Sequence, residues 1–155
     1  MDSDRADFPN LGNRFVRRSE QTGGEFALVE HTLAPHSLAA PTHTHRNEDE
    51  YSFVLSGRVG GHVGDEFLDL GPGELLVKPR GVPHAFWNAG AEEARVLELI
   101  TPGGFERYFA ELAPLLNAEG GPDLPAIAAT CERYELAMDF ESIGPLAERF
   151  GLQAF

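Results

Sequence analysis

Residues 26–101 form a succession of short apolar runs, each cut off by glycine, proline or a polar turn before it reaches helix length. Strands are expected at 14–16, 26–33, 42–45, 51–55, 59–63, 67–70, 75–77, 84–87 and 95–101. The punctuation between them includes Gly23-Gly24, Gly57, Gly64-Asp65-Glu66, Gly71-Pro72-Gly73, Pro79 to Pro83 and Asn88-Ala89-Gly90. Many short strands with close turns build a sandwich or a barrel. A doubly wound α/β fold needs a helix between successive strands, and there is no room for one here. Residues 1–12 read as a loose leader and 35–41 as a loop.

The texture changes after Pro102. Phe105, Tyr108, Phe109 and Leu112 recur at helical spacing and predict a helix over 105–116. A second is expected over 125–138. A third is expected over 143–150, with Gly151 as its stop. The expected fold class is all-β with C-terminal helices: one domain over 1–155, a barrel core at about 14–101 and a helical segment at about 103–152. Packing on the barrel, or on a partner, accounts for the helical stripes.

Charge and cysteine content narrow the setting. A formal net charge of −13 opposes contact with nucleic acid and with anionic membrane surfaces. No apolar window approaches the length of a membrane span. The N-terminal residues lack the basic start and apolar stretch of a secretion signal. One cysteine, Cys131, excludes an internal disulfide. A cytoplasmic protein is expected.

The chemistry concentrates in three of the six histidines. His43 and His45 are two apart, so on a strand both imidazoles leave the same face. Glu48, Asp49 and Glu50 follow at a polar turn, and His84 opens a later strand. Neutral imidazoles with one carboxylate suit one divalent transition ion among Fe, Mn, Ni, Co, Cu and Zn, without selecting it. His31, His36 and His62 fit no such grouping and read as surface or strand residues. Cys131 reads as packed and idle.

At this point the chain resembles a known family. His43-Thr44-His45, four residues, Glu50, six residues, Gly57 is similar to the first cupin motif. Gly73, Pro79-Arg80-Gly81, His84 and Asn88 meet every spacing of the second. The glycine that often precedes the first motif is replaced by residues 35–40. The resemblance covers about 26–101 and implies a jelly-roll barrel, with a metal held inside by His43, His45, Glu50 and His84. It selects Glu50 over Glu48 and Asp49, leaving Asp49 able to orient a ligand histidine from behind. Asn88 is expected to end its strand and bond local backbone.

Strand parity then sketches the pocket. If Glu50 and His84 point inward, so do Ser52, Val54 and Phe86, while Tyr51, Phe53 and Leu55 face away. Either Phe26 and Leu28 or Ala27 and Val29 join them. The segments around 46–51, 79–86, 101–106, 139–143 and 146–152 look like single-domain bacterial cupins described as resembling quercetin 2,3-dioxygenase. That likeness implies a metal-dependent dioxygenase acting on a small aromatic or hydroxy-ketone substrate, with Glu50 as ligand or catalytic base. Non-redox isomerase, cyclase or lyase chemistry is the alternative. A non-catalytic ligand-binding barrel is a third reading. Such cupins are commonly homodimers, and Tyr51 and Phe53 would suit an interface.

Overall fold

The computed structural model describes residues 4–153. Two antiparallel sheets face each other. The first contains β1 (Leu11–Arg17), β2 (Ala27–Leu33), β5 (Asp49–Ser56), β8 (Leu75–Lys78) and β10 (Ala94–Thr101), in the order β1-β2-β10-β5-β8. The second contains β4 (Thr42–His45), β6 (Val59–Val63), β7 (Glu66–Leu70), β9 (His84–Asn88) and β11 (Leu136–Asp139), in the order β11-β4-β9-β6-β7, with the short β3 (Ser37–Leu38) also paired to β9. The helices α1 (Glu106–Leu116), α2 (Leu124–Arg133) and α3 (Ile143–Phe150) follow the strands. The fold is a jelly-roll β-barrel with C-terminal helices.

Alternation sets the inner faces. In β2 every second residue from Ala27 to Leu33 is buried, and β5 buries Glu50, Ser52 and Val54 while exposing Phe53 and Leu55. Ala27 and Val29, not Phe26 and Leu28, face inward. β9 breaks the alternation because all five of its residues are buried. Its outer side, Ala85 and Trp87, is covered by Leu146 of α3 and by Leu152. Gly57 closes the β5–β6 turn at φ 77°, and a Cβ there would lie 2.8 Å from the Ala94 backbone.

Three segments differ from the sequence reading. The leader is folded from Asp4 onward: Phe15 N–H donates to Asp4 O, Arg5 bridges to Arg14, and Ala6 is buried. Its residues 1–3 lie outside the described ones. The 35–41 loop contains β3, whose Ser37 and Leu38 pair with Asn88 and Trp87. The third difference is the largest. The helix expected over 125–138 ends at Arg133, Glu135 turns the chain at φ 52°, and 136–139 become β11. β11 pairs in register with β4, Leu136 opposite His45 and Met138 opposite His43. Apolar Leu136 and Met138 satisfy a period of two as well as a helical stripe, and the unpaired edge of β4 supplies hydrogen bonds that only a strand can use. No helix among the described residues is long and apolar enough to cross a membrane.

Candidate metal centre

His43, His45 and His84 come from adjacent strands of one sheet, and His43 and His84 are direct cross-strand partners. Glu50 reaches them from β5 on the facing sheet. The four residues are buried, and one donor atom from each lies within 4.8 Å of the others. Two donors on opposite sides of a transition ion stand about 4.2 Å apart when each bond is near 2.1 Å. The spread of the four donor atoms is therefore close to that of one coordination sphere.

The hydrogen bonds fix which nitrogen is offered. His43 Nδ1 donates to Pro41 O at 2.7 Å, His84 Nδ1 to Val82 O at 3.2 Å, and His45 Nδ1 to Glu48 Oε2 at 3.2 Å. Each bond commits Nδ1 as the donor and turns Nε2 towards the centre, the arrangement metal-binding histidines adopt. Buried Nε2 of His45 and of His84 find no well-directed hydrogen bond, although Glu50 Oε1 approaches them at 3.0 and 3.3 Å. Buried, unpartnered imidazole nitrogens around one carboxylate fit a divalent ion.

Charge is distributed to match. Burial, and then His84 and His45 beside it, hold the His43 imidazole well below its ordinary pKa, so it stays neutral. Burial likewise lowers His84. Burial would lower His45 too, but the Glu50 and Glu48 carboxylates outweigh it and raise His45 to about 9. Burial pushes the Glu50 carboxyl up, yet His45 and Lys78 outweigh it and keep Glu50 well below the usual carboxylate range.

Glu48, not Asp49, orients His45. Asp49 instead accepts from the Arg80 backbone N–H at 2.8 Å and from the Arg80 guanidinium, while Gly81 N–H donates to His45 O. Those bonds tie the turn preceding His84 to the strands carrying Glu50 and His45. Asn88 bonds only backbone, donating to Leu33 O and Glu92 O and accepting from Gly90 N–H. His62 sits outside the cluster, bonded to Thr42 Oγ1 and Gly64 O.

A cavity of about 150 Å³ opens onto His43, His45 and Glu50. Phe86 lines it. Ser52 faces inward but is consumed by a bond to Glu98 Oε1, and Val54 packs among Leu76, Val59 and Val96; neither reaches the cavity. Half of the wall comes instead from the C-terminal segment, including Phe105, Tyr108, Leu112, Ile127, Leu136 and Met138. Leu124 and Phe140 also line it while remaining 66% and 47% exposed, which marks its mouth.

The sequence reading missed three polar residues of the same wall. Lys78, Glu98 and His31 are buried and line the cavity. Glu98 Oε1 accepts from Lys78 Nζ, and Glu98 Oε2 lies 2.5 Å from His31 Nε2. His31 Nδ1 contacts Asn13 Oδ1 at 2.6 Å. Parity could have found two of them: Lys78 shares a face with buried Leu76, and Glu98 with Val96 and Ile100.

The comparisons agree with the fold. The cupin-domain model matches residues 29–100. The chain carries a cupin domain. An uncharacterized protein of Streptomyces coelicolor is 30% identical to this cupin over 105 residues, covering 66% of the chain and 90% of that protein. The solved structure of KdgF from Halomonas sp. is similar with TM-score 0.59 at 19% identity, covering 67% of this chain and 92% of that one. The polyketide cyclase RemF from Streptomyces resistomycificus is similar with TM-score 0.54 at 26% identity, covering 61% and 66%.

Proposed function

We propose that this cupin is a metal-dependent enzyme acting on a small, largely apolar molecule that presents an oxygen donor. One observation carries the reading: three imidazoles and one ionised carboxylate converge, and His43, His45 and Glu50 of that cluster face a cavity whose wall is otherwise mostly apolar. His43, His45, His84 and Glu50 would hold the ion, which would supply either a redox centre for reaction with O₂ or a Lewis acid. Four protein donors leave room for substrate on an octahedral ion. Phe105, Tyr108 and Met138 would pack the substrate body and exclude water. Glu50, kept ionised, is also placed to accept a substrate proton.

Dioxygenation of an aromatic or hydroxy-ketone substrate is our first reading, supported by the apolar wall beside the donors. Non-redox cyclisation is the second, favoured by the 26% identity to a polyketide cyclase. Elemental mass spectrometry of untagged protein, with His84→Ala beside it, tests the centre. We expect close to one transition ion per chain in the wild type and loss in the variant. Oxygen uptake with flavonols and related phenols supports the first reading; activity with zinc, indifferent to O₂, supports the second. A wild type that takes up no metal leaves a ligand-binding barrel.

We also propose a homodimer through the outer face of β5 and β8. Phe53, Leu55, Leu75 and Val77 stand 37–48% exposed there, with Phe53 opposite Leu75 and Tyr51 opposite Val77. Cys131 is buried and unpaired, which accords with a reducing compartment such as the cytoplasm.

A further inference from the structure

Lys78 is the largest fully buried side chain of the described residues, at 1% exposure, and it is not consumed by its surroundings. An ammonium has three N–H donors. One goes to Glu98 Oε1. Glu50 Oε1 lies 3.7 Å away, near enough to attract the charge but too far for a hydrogen bond. Nζ also stands 4.6 Å from the centre of the Phe86 ring. Two donors therefore remain without an acceptor in a buried wall, and buried polar groups seek one.

Lys78 is held there by a row of polar residues crossing the first sheet. Ser52 and Lys78 bond Glu98, Glu98 meets His31, His31 meets Asn13, and Asn13 Nδ2 donates to Ala6 O. Asn13 is thereby oriented with its oxygen towards His31. A neutral imidazole donates at one nitrogen only, so His31 and Glu98 hold one further proton between them. With a divalent ion bound, the charges of the ion, Glu48, Glu50, Lys78, Glu98 and that proton still sum to a positive value. A buried excess of positive charge favours an anion.

We propose that Lys78 is a ligand-binding residue of this cavity. It takes an anionic oxygen of a ligand whose head lies beside the ion and whose apolar body lies among Phe105, Tyr108 and Met138. The ligand class is an enolate, phenolate or carboxylate on an apolar frame. This inference rests on the metal reading above.

The test is binding of 4-nitrocatechol to cobalt(II)-loaded protein, followed by its visible absorbance, with neutral imidazole as the control. Lys78→Met is expected to retain cobalt and to raise the Kd for 4-nitrocatechol at least tenfold, while changing that for imidazole less than twofold. Because that variant strands Glu98 in the wall, the double variant K78M/E98Q, which removes both charges, is measured beside it, and the same loss is expected. If neither variant keeps a native circular dichroism spectrum, a crystal structure of the cobalt wild type with 4-nitrocatechol decides, an oxygen within hydrogen-bonding distance of Nζ being expected. Unchanged nitrocatechol affinity in a folded, cobalt-loaded variant overturns the role of Lys78 and leaves the metal centre standing, as does a crystal structure with no ligand oxygen near Nζ. A wild type that takes up no cobalt overturns both.

Discussion

His45 is the residue on which the centre turns. Its Nδ1 bonds Glu48 and its Nε2 faces Glu50, so in the metal-free protein two carboxylates favour its protonated form. An ion must displace that proton, whereas His43 and His84, both lowered, hold none at neutral pH. Metal affinity measured by competition with a chelator should therefore rise about tenfold per pH unit from 7 towards 9 and level off above about 9, where His45 is already neutral. The same raised pKa has the opposite sign for the stability of the metal-free fold. Its contribution is full below the ordinary histidine range and is lost as pH rises through about 9. Glu48→Gln should weaken metal binding by about 10–100-fold, the usual effect of removing a partner behind a ligand. Asp49→Asn touches the Arg80 turn instead and should leave the affinity within a few fold, by the same titration.

Among the elements, β11 is the one that links the C-terminal segment to the site. It lies on the edge of β4, with Leu136 opposite His45 and Met138 opposite His43, and both side chains line the cavity. Leu136 is 5% exposed and belongs to the cluster that includes Phe105, Tyr108 and Ile127. Leu136→Ala should cost about 2–5 kcal/mol in urea unfolding, the range for emptying a buried leucine site. Close packing constrains β6 in a different way. A Cβ on Gly60 would fall 2.1 Å from Trp87 Nε1, where α3 and β3 already hold the indole. Gly60→Ala should lose about 1–3 kcal/mol by the same measurement, because the indole packed against Leu38 and Leu146 must shift to admit the methyl. Neither change touches a proposed metal ligand, so metal content at saturating metal should survive in the folded fraction.

At the scale of the whole molecule, the exposed apolar face of β5 and β8 predicts association. Sedimentation equilibrium should report a dimer for the wild type and a monomer for Phe53→Glu, which places a charge in the middle of that face. The jelly-roll and the inward set Glu50, Ser52, Val54, His84 and Phe86 were legible in the sequence, because strand parity and turn chemistry are local properties, whereas parity left the inner face of β2 open. Residues 42–45, 59–63 and 143–150 were expected as elements with the bounds the structure has. The spacing of His43, His45, Glu50 and His84 was equally legible, since a motif is a local pattern. Three things required the tertiary structure. Residues 136–139 became a strand because β4 offered an unpaired edge, and no local propensity carries that information. Glu48 rather than Asp49 faced His45 because the Arg80 turn captured Asp49 from 31 positions away. Lys78, Glu98 and His31 met because β8, β10 and β2 lie in one sheet, with Glu98 67 positions from His31. Sequence alone determined the barrel and the candidate ligands; folding decided the cavity wall, the partners behind the ligands and the buried charge beside them, because each depends on contacts between segments distant in the chain.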